Sequence, residues 1–111
     1  MDLETWFQRE VAAPLGWQSM GYKPLERGID AATIAPTERD EVFRQRVVRG
    51  TVHDPGAAMQ GGVGGHAGLF SNAYDLAELA ETWRRGGVFK GIRIVPEDVL
   101  DQWTSRAFAD D

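Results

Sequence analysis

Apolar residues recur at helical spacing near both ends of the chain. Leu3, Trp6, Phe7 and Val11 share one face, with Glu4, Gln8, Arg9 and Glu10 mostly off it. That spacing predicts a helix from about Asp2 to Ala13, with Asp2 as its candidate N-cap. Pro14 is expected to stop it, because its ring and missing N–H disfavour continuation. Pro14-Leu15-Gly16-Trp17 then reads as a turn whose two large side chains pin the helix end to a core. The clearest stripe is Leu76, Leu79, Ala80 and Trp83, at i, i+3, i+4 and i+7. Asn72 is its expected N-cap. Asp75 falls at N3, where a carboxylate can reach back to the cap N–H and face the positive helix end. Gly86 follows Arg84 and Arg85 as a C-terminal signal. Val88 to Ile94 reads as a small hairpin or extended turn. Pro96 suits the first position of a last helix, with Val99, Leu100 and Trp103 as its buried face. The tail from Ala107 to Asp111 is expected to fray.

Between these helices the pattern weakens. Gln18 to Thr33 contains Gly21, Pro24 and Gly28 and holds no period. Ala35-Pro36-Thr37-Glu38 is a break, with Thr37 a candidate cap of a short helix. Val42, Phe43, Val47 and Val48 fit either a helical stripe or a strand edge. Glu38, Asp40, Glu41, Arg44 and Arg46 read as a solvated polar face. The expected fold is mainly α, with three or four helices, long loops and little sheet, in one domain over residues 1–111.

Composition narrows the function. The net charge of −5 and the scatter of arginines among acids argue against a nucleic-acid partner, which needs a basic surface. The absence of cysteine excludes disulfides, thiolate nucleophiles and cysteine-based zinc sites. No apolar run approaches the ~18 residues of a membrane span. The opening MDLETWFQRE has acids early and no apolar core, so it is not expected to act as a signal peptide. The compartment stays open.

The chemistry concentrates between Gly50 and Leu79. That stretch holds both histidines, His53 and His66, and the glycines 56, 61, 62, 64, 65 and 68. Glycine permits φ > 0 and lets backbone approach a ligand closely. Three site types can be tested against it. A Ser-x-x-Lys nucleophile is absent, because Met20 stands three residues before Lys23 and Gly87 three before Lys90. A Gly-x-Ser-x-Gly elbow is absent around Ser19, Ser71 and Ser105; Ser71 could be imagined beside His66, but its place at a helix start is explained by capping. His53, Asp54 and His66 are zinc-ligand types without a defensible ligand spacing, so no metal is expected, and the plainer role of His53 and Asp54 is to hold the loop. Gly62-x-Gly64-x-x-Ala67 formally matches a relaxed dinucleotide fingerprint, yet no strand leads into it and no βαβ unit follows. No cofactor is expected.

Several segments, in order, resemble one family. Pro14-Leu15-Gly16-Trp17 is similar to the turn after an amphipathic helix in serine β-lactamase-like hydrolases. Ile34-Ala35-Pro36-Thr37-Glu38, Gly50-Thr51-Val52-His53-Asp54 and Gly61-Gly62-Val63-Gly64-Gly65-His66-Ala67-Gly68-Leu69-Phe70-Ser71 resemble the esterase-like branch of that family. Asn72-Ala73-Tyr74-Asp75-Leu76-Ala77 resembles its Ser-Thr-Ala-x-Asp-Leu-Ala helix start, with asparagine in place of threonine. The resemblance implies a middle piece, from the helical domain of the α/β β-lactamase-like fold, that contains neither the Ser-x-x-Lys nucleophile nor the Tyr-x-Asn base. His66-Ala67-Gly68 imitates the family's third motif in letters only, since it precedes a helix. The parent would hydrolyse amide or ester bonds, those of cell-wall peptides included, through an acyl-serine. Its compartment would be the bacterial cell envelope or the cytoplasm. In it, Gly61, Gly62, Gly64, Gly65 and His66 would line or brace the cleft. The alternative is a non-catalytic binding module that self-associates through exposed faces such as Trp6, Phe7, Trp83 and Trp103.

Overall fold

The computed structural model describes residues 1–108, so the end of the tail, 109–111, lies outside the described residues. Helices dominate, with two small two-stranded sheets. The first helical stretch is continuous but not uniform. It runs through α1 (Leu3–Phe7), a π-helical segment (Gln8–Ala12) and α2 (Ala13–Leu15). Asp2 caps it by accepting the Thr5 N–H at 2.8 Å. Pro14 does not stop this helix; the last turn passes through it to Leu15. The widened π turn shifts bonding to i→i−5, as in Ala13 N–H to the Gln8 carbonyl, which eases the clash a proline ring makes with the preceding turn. Gly16, at φ +75°, ends it in the left-handed region.

The core is small. Val11, Ala12, Leu15, Trp17 and Met20 are buried together, with Phe7, Leu79, Phe89, Ile92 and Ile94 packed against them. Leu15 and Trp17 thus occupy the anchoring place that the Pro-Leu-Gly-Trp turn suggests. The indole of Trp17 donates to Glu78 at 2.8 Å, and Lys90 holds the other oxygen of that carboxylate. These bonds tie the N-terminal turn to α4 (Ala73–Arg84) and the distal hairpin. The radius of gyration is 16.2 Å. A compact chain of this length would have about 13 Å. Much apolar surface is correspondingly open: Trp103 is 82% exposed, and Trp6 and Trp83 are partly so.

Of the ambiguous segment, Val47 and Val48 lie in a strand, and Val42 and Phe43 lie in the connection before it. β1 (Glu38–Asp40) pairs antiparallel with β2 (Arg46–Val48) in the register Glu38 to Val48 and Asp40 to Arg46. Thr37 caps no helix; its N–H bonds the Val48 carbonyl and extends the ladder. Between the strands, the Asp40 carboxylate accepts N–H bonds from Val42, Phe43 and Arg44. The expected solvated face is only partly so. Arg44 and Asp40 side chains are about nine-tenths buried against each other.

After β2 the chain forms α3 (Pro55–Met59), the glycine loop, then α4, β3 (Val88–Phe89), β4 (Ile92–Arg93) and α5 (Glu97–Thr104). β3 and β4 form the expected small hairpin. α5 begins one residue after Pro96, which sits at the cap. Of its expected buried face only Leu100 is buried; Trp103 points to solvent because no described element packs over that end.

Candidate functional site

The site is built from two loops that meet. Gly21 and Phe70 exchange backbone hydrogen bonds of 3.0 and 2.9 Å, forming an isolated antiparallel bridge. This bridge seats the end of the glycine loop against the segment after the first helix. Next to it, the Tyr22 hydroxyl donates to the Gly64 carbonyl at 3.0 Å. Tyr22 is buried, and burial pushes its phenol pKa above the ordinary value, with the Glu4 charge adding to the effect. Glu4 in turn accepts the Tyr22 N–H at 2.7 Å and lies 3.6 Å from Arg27. Gly68 completes the contact at φ +115°. A Cβ there would stand 2.7 Å from the Gly62 carbonyl oxygen and 3.1 Å from the Tyr22 ring, so the turn admits only glycine without a shift.

Asp54 organises the other side. Its carboxylate accepts the Ala57 N–H at 2.7 Å as the N-cap of α3, with Pro55 in the first turn. The same oxygen lies 3.0 Å from His66 Nε2. The Ala57 N–H first, and the His66 bond second, hold the Asp54 carboxyl below the usual aspartate range. His53 lies apart, with Nδ1 3.4 Å from Glu38. Arg44 fixes the backbone at this point by donating to the Val52 and His53 carbonyls at 2.8 and 2.9 Å.

These loops enclose a cleft of about 760 Å³. Its walls come from Pro24, Ile29, Ile34, Val52, Leu69 and Phe70, with His53, Asp54, Ser71 and Asn72 among its polar residues. The residues singled out from sequence divide. His53 and Asp54 line this cleft. Gly61 and Gly62 border a second hollow of about 390 Å³, beside Lys23, Arg44 and Arg46. Gly64, Gly65 and His66 line neither of these hollows; Gly64 and His66 serve as the partners of Tyr22 and Asp54. Asn72 accepts the Asp75 N–H at 2.9 Å as cap of α4. Asp75 does not reach back to the cap N–H: its carboxylate accepts the Met20 N–H at 3.2 Å, because the segment after the first helix brings a competing donor.

Sequence reasoning missed the cleft walls before Gly50 and the Tyr22–Gly64 bond, which no local spacing announces. It also missed α3, whose Asp-Pro opening is a legible start signal. Among the described residues no group of three or more metal-ligating side chains converges. No described helix is long and apolar enough to cross a membrane.

Comparison with known proteins adds one relation. The chain is 33% identical, over 96% of its length, to proteins of Salmonella paratyphi B and Salmonella newport carrying the description "Putative D-alanyl-D-alanine carboxypeptidase". It spans only 27% of the length of those relatives. The match supports a distant relation to serine β-lactamase-like hydrolases. No family model matches the chain. No solved structure matches it significantly.

Proposed function

We propose that these residues form one wall of the substrate cleft of a serine β-lactamase-like hydrolase whose nucleophile and base lie outside them. The observation that carries this reading is the near end-to-end match to about a quarter of a carboxypeptidase-named protein. It joins a chain in which neither lysine stands three residues after a serine. In such a hydrolase a serine oxygen attacks an amide or ester carbonyl, the leaving group departs with a proton, and water releases the acyl group. The part assigned to this chain is positional. The Gly21–Phe70 bridge, the Tyr22–Gly64 bond and the Asp54–His66 contact fix the wall, and the wall orients the bound acyl group. The relatives' description points to a peptide substrate, and the resemblance in the glycine loop leaves esters in play.

The test compares the 111-residue chain with the same segment inside its longer reading frame. Only the longer product should hydrolyse a D-alanyl-D-alanine peptide or a reporter ester, and only it should be acylated by a fluorescent penicillin. Saturable turnover by the chain alone, abolished by Ser71→Ala, would overturn the proposal.

A second reading rests on the exposed indoles of Trp6, Trp83 and Trp103. They suit a module that self-associates, or that packs against another body, through apolar faces.

A further inference from the structure

We infer that the large cleft selects an uncharged, apolar acyl or side-chain group and rejects the free carboxylate that ends a peptide. The inference takes from the proposed function only that this cleft faces substrate.

Two observations carry it. The first is the lining. Its aliphatic and aromatic walls come from separate stretches of chain around Pro24, Ile29, Ile34, Val52 and Leu69-Phe70. A volume of about 760 Å³ is ample for a small organic group, and apolar walls with a few neutral hydrogen-bonding residues are the usual make-up of such sites. Ser71, Thr33 and Thr37 supply hydroxyls of that neutral kind; each donates to a backbone carbonyl and keeps its oxygen to accept from a ligand.

The second is the charge. Among the described residues lining the cleft there is no lysine or arginine; the ionisable ones are His53 and Asp54. Asp54 is engaged with the Ala57 N–H and His66, which favour its charged form. A carboxylate entering this cleft would lose its water and meet another carboxylate in place of a cation. The cations of this face lie elsewhere. Lys23, Arg44 and Arg46 border the smaller hollow. Arg44 is spent on Asp40 and two carbonyls, and its side chain is only 9% exposed. The two hollows therefore separate by chemistry, with Val52 on both.

A matched pair of small ligands tests this. N-acetyl-phenylalanine methylamide and N-acetyl-phenylalanine differ by one charge at the same end. Each is titrated into the isotope-labelled 111-residue chain at neutral pH and followed by amide chemical shifts and ligand-observed NMR. The methylamide should bind and move Val52, Leu69 and Phe70, and the free acid should bind about tenfold more weakly, equivalent to ~1.4 kcal/mol. Ala35 is exposed on the cleft wall, so Ala35→Lys can add a cation without disturbing the core. That variant should recover most of the lost affinity for the acid. Equal or tighter binding of the acid overturns the inference. So does binding of neither ligand, or shifts confined to Lys23, Gly61 and Gly62. Each of these outcomes leaves the location of the nucleophile untouched, which the reporter and penicillin experiments decide separately.

Discussion

His66 Nε2 and Ala57 N–H converge on one oxygen, Asp54 Oδ1, at 3.0 and 2.7 Å. One carboxylate thus starts a short helix and fastens the glycine loop twelve residues further on. The two functions can be separated by substitution. His66→Ala removes the loop bond and leaves the cap, Asp54→Asn keeps an oxygen that can accept both bonds but loses the charge, and Asp54→Ala removes both bonds. Both groups are substantially solvent-accessible, so the loss should be modest in each case. Denaturant midpoints should fall in the order wild type, Asp54→Asn, Asp54→Ala. His66→Ala should resemble Asp54→Asn, and a His66→Ala midpoint below that of Asp54→Ala would contradict the shared-oxygen account.

The glycines of the loop should differ sharply in tolerance. Gly68→Ala drives a methyl against the Gly62 carbonyl at a positive φ. Strain of this kind costs on the order of 1–3 kcal/mol. At Gly65 a Cβ meets nothing within 4 Å. Gly65→Ala should stay within about 0.5 kcal/mol of wild type. Urea unfolding of the two variants provides the comparison.

Tyr22→Phe tests the link between the two loops. It removes the bond to the Gly64 carbonyl and leaves that carbonyl without its donor. The expected loss is about 1 kcal/mol. Amide exchange should quicken at Gly21 and Phe70, whose backbone bridge depends on the same contact; unchanged exchange there would show that the bridge stands alone.

Acid should destabilise the fold. Asp40, Asp54 and Glu78 all titrate below their usual ranges. Three backbone N–H bonds, the Phe43 one foremost, are the cause at Asp40. For Glu81 the Arg84 and Arg85 guanidiniums bring the value to about 2. A carboxyl with a lower pKa folded than unfolded contributes stability that is complete above the unfolded value. That stability is lost as pH falls through the folded one. Stability should therefore be level near neutrality and decline as pH drops below the ordinary values of 4.5 and 3.8 toward about 2. Added salt should weaken the Glu81 contribution more than that of Asp40, whose partners are three backbone N–H groups and the buried Arg44 guanidinium.

Exposed indoles predict association. Trp103 contributes little to the described core, so Trp103→Ser should leave the unfolding midpoint nearly unchanged while lowering the apparent mass seen by light scattering at high concentration. A monomer at all concentrations, for wild type and variant alike, would remove the self-association reading.

The sequence by itself determined what local physics controls. Asn72 caps α4 because its short amide reaches the Asp75 N–H. The Leu15 and Trp17 anchors follow from a turn that leaves them nowhere else to go. Val88 to Ile94 was legible as a small hairpin or an extended turn, and the structure makes it the hairpin. Asp54-Pro55 was equally local and could have announced α3. Tertiary structure decided the rest. Only three-dimensional proximity brings Met20 N–H to Asp75, forty-two residues' separation of Tyr22 and Gly64 down to 3.0 Å, and Ile29 and Ile34 onto the same cleft as Phe70. It also buried Arg44, which the charge pattern assigned to solvent, because two backbone carbonyls lie within its reach. Periodicity and capping act over a few residues, so they can be read in one dimension. Pairings between distant loops depend on how the intervening chain closes, and no short-range pattern encodes that.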